Sequence, residues 1–343
     1  MDLLPTAEQQ QIVDTAKQFL GREFPLSDAL QLAPGQARIA RDDLSRIAGL
    51  GWIGIGLDES DGGVGYGLPE EVLLFIELGR ELMPPALLGG VLGARVAARG
   101  GAANMVGAIL DGASKVALAA ARPGKPPETG SEISGEFIVY EAGDADLVLV
   151  ADAERAALLS RDDLDTVEEL SCIDPTLPAS VCRAQAVRSI ATVSAAADPV
   201  FMRGALLSAA LLLGIAEATT DRSVAYAKER EQYGKPIGSF QAIKHYCAEM
   251  AIRCEAVRAT LYHASITLSA GTAEGPFDTF TAKALAVDAA QENANTAVQI
   301  HGGMGYTEEM DIHLFVKRAQ VLATLFGGER YHLKALLAQP RPA

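Results

Sequence analysis

Basic charge is in deficit in this chain. Lys and Arg number 29 against 44 Asp and Glu, a formal net charge of −15 over 343 residues. Nucleic-acid binding rests on an excess of Lys and Arg facing phosphates, so that class of partner is excluded. An anionic small molecule is not, because it needs only a few local cations. Cysteine is also scarce. Cys172, Cys182, Cys247 and Cys254 show no Cys-x-x-Cys spacing, and the five histidines include no pair at zinc-ligand spacing. A disulfide framework is not expected in a chain of this size without a secretory signal. The start, Met1-Asp2-Leu3-Leu4-Pro5, has no basic stretch followed by an apolar one, so no signal peptide is expected. The richest apolar run, 205–216, is interrupted by Ser208 and Gly214 and is too short to span a bilayer. The expected setting is cytoplasmic, away from membranes. Aromatic residues make up 6% of the chain while Ala and Leu abound, so helix should outweigh sheet.

What is present is ordinary globular composition, 49% apolar and 21% charged, in a chain long enough for two or three domains. Residues 1–112 read as an N-terminal helical domain. Thr6 and Gln9 fit a capping box ahead of a helix ending near Gly21, and a second helix covers about 39–50. A glycine-rich turn follows at Asp61-Gly62-Gly63-Val64-Gly65. Pro69 then suits the first turn of a helix that runs through Glu70 to Leu82 and stops before Pro84-Pro85. Residues 113–198 read as a small, reduced β domain, with β-prone runs at 115–121, 136–140 and 147–151.

Residues 199–343, beginning at the helix start Asp198-Pro199, read as a four-helix bundle. In its first helix Leu206, Ala209, Leu213, Ala216, Thr220, Val224 and Ala227 recur at spacings of three and four. In its second, Ile243, Cys247, Met250, Cys254, Val257, Leu261, Ala264 and Leu268 do the same, which makes the two cysteines core residues. A third helix is expected at about 277–300 and a fourth at about 308–326. The fold class is mainly α with a small central β domain.

Two segments read as ligand contacts. Between the first two bundle helices runs Arg230-Glu231-Gln232-Tyr233-Gly234-Lys235-Pro236-Ile237-Gly238-Ser239-Phe240-Gln241. Gly234 and Gly238 allow tight turns, Arg230 offers a planar donor fork to a phosphate oxygen, and Phe240 and Gln241 set an aromatic surface and an amide beside it. The competing account is a plain connector with Arg230 favourably placed at a helix C-terminus. The second segment, Gln299-Ile300-His301-Gly302-Gly303-Met304-Gly305-Tyr306, can present backbone N–H groups to an anion, or simply be a glycine-rich helix cap. His301 alone reads as a structural histidine.

With these segments in this order on bundle helices, the chain resembles the acyl-CoA dehydrogenase family of flavoproteins. Arg230 to Met250 is similar to that family's first C-terminal signature and Gln299 to Tyr306 to its second. Gly49-Leu50-Gly51-Trp52 and Gly62-Gly63-Val64-Gly65 are similar to its amino-terminal domain. The resemblance implies a helical domain, a β domain and a C-terminal four-helix bundle, assembled as a tetramer. It implies FAD as cofactor and an acyl-CoA thioester as substrate. By matched position, Arg230, Gln232, Tyr233, Phe240, Gln241, Gln299, Gly302 and Gly303 would meet the pyrophosphate and adenine of an FAD whose flavin sits on a neighbouring subunit.

The resemblance also implies a carboxylate that removes the substrate's α-proton. Here its usual position, after an aromatic residue in Leu325-Phe326-Gly327-Gly328, falls on Gly327, and the alternative position on the first bundle helix falls on Gly204. The strand end that contacts flavin in relatives reads Ala121-Arg122-Pro123-Gly124. The expectation is therefore a non-catalytic subunit, similar to the short chain of heterotetrameric steroid side-chain dehydrogenases, completing FAD sites of a homologous catalytic partner. The alternatives are a self-sufficient homo-oligomeric acyl-CoA dehydrogenase or oxidase using Glu329 or another base, and a cofactor-free helical interaction protein.

Overall fold

The computed structural model describes residues 4–33, 35–122, 128–129 and 132–339. In chain order the first helices are α1 (Ala7–Glu23), α2 (Leu26–Ala29), α3 (Arg41–Ala48), α4 (Leu68–Arg80), α5 (Ala86–Arg99) and α6 (Ala103–Leu110). Strands follow as β1 (Val116–Ala121), β2 (Glu128–Thr129), β3 (Glu132–Tyr140), β4 (Leu147–Ala151), β5 (Arg155–Ser160), β6 (Asp165–Leu170), β7 (Ala179–Arg188) and β8 (Ala191–Ser194). The C-terminal part holds α7 (Val200–Glu229), short β9 (Glu231–Gln232) and β10 (Lys235–Pro236), then α8 (Gln241–Ser269), α9 (Gly275–His301), α10 (Ile312–Leu322) and α11 (Glu329–Ala338). The mainly helical chain with a central sheet is the expected fold class.

Two compact units emerge. One comprises Met1–Gln31, Val72–Met83 and Ala205–Ala343. Its first helix starts where the capping box places it: Gln9 N donates to Thr6 Oγ1 at 3.2 Å and Thr6 N to Gln9 Oε1 at 2.9 Å. The bundle is built on the apolar stripes. Leu206, Ala209, Leu213, Ala216 and Ala227 of α7 are buried, as are Met250, Cys254, Val257, Leu261 and Ala264 of α8. Burial pushes the Cys254 thiol up to about 11, so it behaves as a small core residue. The α7 helix is apolar and long enough to cross a membrane, yet 83% of its most apolar window is buried inside the fold. It is a core helix.

Helices α4 and α7 cross backbone to backbone. A Cβ at Gly79 would lie 2.1 Å from Leu211 O, and one at Gly214 would lie 2.1 Å from Ile76 O. Only glycine permits that approach. Beyond α4, the wholly buried Arg318 of α10 donates from one nitrogen to Leu82 O at 2.7 Å and Met83 O at 2.8 Å. A buried guanidinium is tolerable only with such partners.

The other unit comprises Leu32–Glu71 and Pro84–Gly204. Its sheet has the order β6-β7-β3-β1-β4-β5-β8, with β2 on β3; β1 and β4 run parallel and the remaining pairs antiparallel. Phe137, Val139, Val148, Leu159 and Cys182 anchor the apolar cluster of this sheet. The three β-prone runs correspond to β1, β3 and β4. Strands β2, β5 to β8, β9 and β10 were not expected, nor were α2, α5, α6 and α11. Pro123 and Gly124, part of the expected flavin-contacting strand end, lie outside the described residues.

Candidate functional site

Helix α7 ends one turn after Tyr226, where Arg230 N donates to Tyr226 O at 2.8 Å. The chain then folds back as the two-stranded β9–β10 hairpin, in which Lys235 pairs with Gln232. A two-residue turn of this kind favours left-handed conformations at both central positions. Gly234 takes one without strain at φ +74°, whereas Tyr233 takes one at φ +53°. A left-handed non-glycine residue costs about 1–2 kcal/mol. At the tip of this turn Tyr233 is 89% exposed. Its edge meets Phe240 at a centroid distance of 6.1 Å, and Lys235 Nζ lies 4.5 Å from the Phe240 centroid on a cation–π contact. Gly238 lets the segment tuck under α7, because a Cβ there would come within 2.8 Å of Ala227 O.

The opposite wall is the C-terminus of α9. Gly302 leaves the helix at φ +60°, and its N–H donates to Val298 O and Gln299 O. That amide is engaged in the helix cap, so the cap account holds for the Gly302 N–H. Space beside the Cα atoms of Gly302 and Gly303 is open, with no atom within 4 Å of where a Cβ would stand, which permits close approach of a ligand. His301 is buried; its Nδ1 donates to Ala297 O at 2.7 Å, and its ring stacks on Tyr226 at 4.3 Å and 26°. Burial holds this imidazole below its ordinary pKa.

Between these walls lies a cavity of about 550 Å³. Of the eight residues expected to bind cofactor, Arg230, Gln232, Tyr233, Phe240, Gln299, Gly302 and Gly303 line it; Gln241, the exposed first residue of α8, does not. Tyr226, Ile237, Ile243, Ile300, His301 and Met304 complete the lining. Tyr226 precedes Arg230 by four residues, and that helical spacing was the signal available for it. Among the described residues no Asp or Glu lines the cavity, in a chain whose net charge is −15. An acid-free cavity with an arginine, an aromatic ring and bare glycine backbone suits an anionic nucleotide, and its volume falls in the small-molecule range.

Away from the cavity, the turn between α10 and α11 carries Phe326 at φ +53° and Gly327 at φ +95°. A Cβ on Gly327 would lie 2.5 Å from Tyr331 Cδ1 and 3.0 Å from His332 Nε2. Buried His332 donates from Nε2 to Phe326 O at 3.0 Å and Gly327 O at 3.1 Å, which fixes the turn. Gly204 is buried within α7, and Glu329 is the exposed first residue of α11. None of the three lines the cavity.

Residues 6–105 match the sequence pattern of the acyl-CoA dehydrogenase N-terminal domain, and 194–339 that of the acyl-CoA dehydrogenase C-terminal domain. Acyl-CoA dehydrogenase IpdE2 of Mycolicibacterium smegmatis is 32% identical over 284 residues, 82% of each chain. Acyl-CoA dehydrogenase FadE34 of Mycobacterium tuberculosis is 31% identical over 315 residues, which span 89% of this chain but 43% of that relative. Among solved structures, the ChsE4-ChsE5 complex from Mycobacterium tuberculosis superposes with a TM-score of 0.86 at 23% identity over 100% of both chains. A variant of the Tcur3481-Tcur3483 steroid ACAD superposes at 0.84 with 25% identity over 96% of both chains. With the N-terminal and C-terminal segments, the relative and the fold in agreement, the chain belongs to the acyl-CoA dehydrogenase family of FAD-binding oxidoreductases.

Proposed function

We propose that this chain is the non-catalytic subunit of a heteromeric acyl-CoA dehydrogenase, and that it completes FAD sites carried mainly by a homologous catalytic chain. The observation that carries this reading is a contrast within one unit. The cavity is assembled and free of acid, while the position matched to the base is a left-handed glycine whose side-chain space is filled by Tyr331 and His332.

In this reading Arg230 neutralises a phosphate oxygen and Phe240 and Tyr233 offer ring faces to the adenine. Gln232 and Gln299 supply amides, and Gly302 and Gly303 let the ligand lie against backbone. Gln241 is assigned to the nucleotide as well, although in this structure it opens α8 outside the cavity lining. When bound, FAD supplies the hydride acceptor for α,β-dehydrogenation of the thioester. The proton acceptor is assigned to the partner chain. Two features support a paired assembly: ChsE4-ChsE5 is a complex, and FadE34 is more than twice as long as the stretch it shares with this chain; a steroid substrate is supported by the name of the Tcur3481-Tcur3483 steroid ACAD. We accordingly assign a steroid-type acyl-CoA as the substrate class, a cytoplasmic setting, and a division at 1–112, 113–198 and 199–343.

The test is flavin content and thioester turnover of the chain expressed alone and with the product of a neighbouring dehydrogenase gene. Flavin and turnover only on co-expression are expected; turnover by the lone chain overturns the proposal. Arg230→Ala should lower flavin occupancy of the complex several-fold, read from the flavin-to-protein absorbance ratio. Glu329→Gln should leave turnover of the complex unchanged, and its loss would make Glu329 the base.

A further inference from the structure

We infer that His301 is a specificity residue of the cavity, its Nε2 accepting a hydrogen bond from a hydroxyl or amino group on the nucleoside part of the bound nucleotide. The inference rests on the proposed reading of the cavity as an adenosine-diphosphate site. The backbone fixes the tautomer. Ala297 O can only accept, and Nδ1 lies 2.7 Å from it, so Nδ1 carries the proton. In a neutral imidazole the other nitrogen is then a lone-pair acceptor. The charged groups facing the ring, Arg222 of α7 and Asp311, pair with each other at 2.7 Å and offset one another. Burial further favours the neutral ring. Tyr226, stacked at 4.3 Å and 26°, fixes its plane.

The remainder of the lining gives this acceptor its significance. Arg230 can only donate, Gln232 and Gln299 are exposed amides able to present either end, and the Tyr226 and Tyr233 hydroxyls can rotate to do either, so His301 supplies the acceptor whose direction is fixed. Ile237, Phe240, Ile243 and Ile300 offer no side-chain hydrogen bond. The cavity thus combines a fixed donor for an anion with a fixed acceptor on a buried ring. Inorganic pyrophosphate satisfies the first; a nucleotide, which carries ribose hydroxyls and an adenine amino group, satisfies both.

Isothermal titration of the full-length chain, purified with its partner where it needs one and freed of bound flavin, tests this with two probes, adenosine diphosphate and inorganic pyrophosphate. His301→Phe keeps the stack on Tyr226 and removes the acceptor. It should weaken adenosine diphosphate up to about tenfold, the effect of one hydrogen bond, and leave pyrophosphate unchanged. His301→Gln, which retains an acceptor, should recover part of the loss, and Arg230→Ala should weaken both probes. Unchanged adenosine diphosphate affinity in His301→Phe, or an equal loss of both probes, overturns the inference while leaving the site intact. Wild-type protein that binds neither probe overturns the site itself, and with it this role. Displacement of adenosine diphosphate by coenzyme A at lower concentration than by FAD reassigns the cavity and also overturns it.

Discussion

Lys283 sits wholly inside the bundle, donating to Ser208 Oγ at 2.7 Å and to Leu322 O at 2.9 Å. Burial pushes its pKa down from 10.5 to about 7. The unfolded chain keeps this proton up to about 10.5, so unfolding takes up a proton between those values. Stability therefore falls as pH falls through that window, by about 1.4 kcal/mol per pH unit, and is level below about 7. Lys283→Met should raise Tm more at pH 7 than at pH 10, with a difference of a few kcal/mol in unfolding free energy. Calorimetry giving the same change at both values would contradict this. Buried His332, at about 4, adds a second loss as pH falls from its unfolded value near 6.5. Neither effect is legible in the sequence, where Lys283 reads as one more polar residue on a helix. The same holds for His301. At the end of a helix it reads as a structural histidine, and only the tertiary stack on Tyr226 gives it a place in the cavity.

At the scale of elements, periodicity carried the long helices. The stripes on α7 and α8 are apolar at three- and four-residue spacing, and burial follows them, because a helix in a bundle must hide one face. The capping box of α1 was equally readable, since it is made by neighbours in sequence. Strand β5, Arg-Ala-Ala-Leu-Leu-Ser, is composed of helix formers and becomes a strand only through its pairing with β4 and β8. Strand β6 is polar and exposed along most of its length, and has no alternation to find. Helix α5 is buried almost all round and so lacks a polar face to set its period. The close approach of α4 to α7 was also hidden, because a glycine inside a helix pattern looks merely unfavourable. Gly79→Ala should destabilise the protein by about 1–3 kcal/mol through overpacking against Leu211 O, lowering Tm by several degrees. A Tm equal to wild type would mean that the crossing relaxes freely.

For the whole molecule, the contrast is between a strongly acidic chain and an acid-free cavity. Global charge limits partners, whereas local composition selects a ligand, and the two need not share a sign. Family membership was legible because its signatures lie on contiguous segments. The proposed partner chain is not legible, since no residue here encodes another polypeptide's sequence. If half of each cofactor site comes from this chain and the base from another, flavin should number about one per pair of unlike chains. Native mass spectrometry of the co-expressed complex measures that ratio directly, and one flavin on every chain would contradict it.

The filled space beside Gly327 has a further consequence. A side chain introduced there meets Tyr331 Cδ1 and His332 Nε2, so the ring and the imidazole that braces the turn must give way. Gly327→Glu by itself should therefore misfold or stay inert. Fitting a larger side chain at this position therefore calls for accompanying changes at Tyr331 and His332, so the packing itself keeps the residue a glycine.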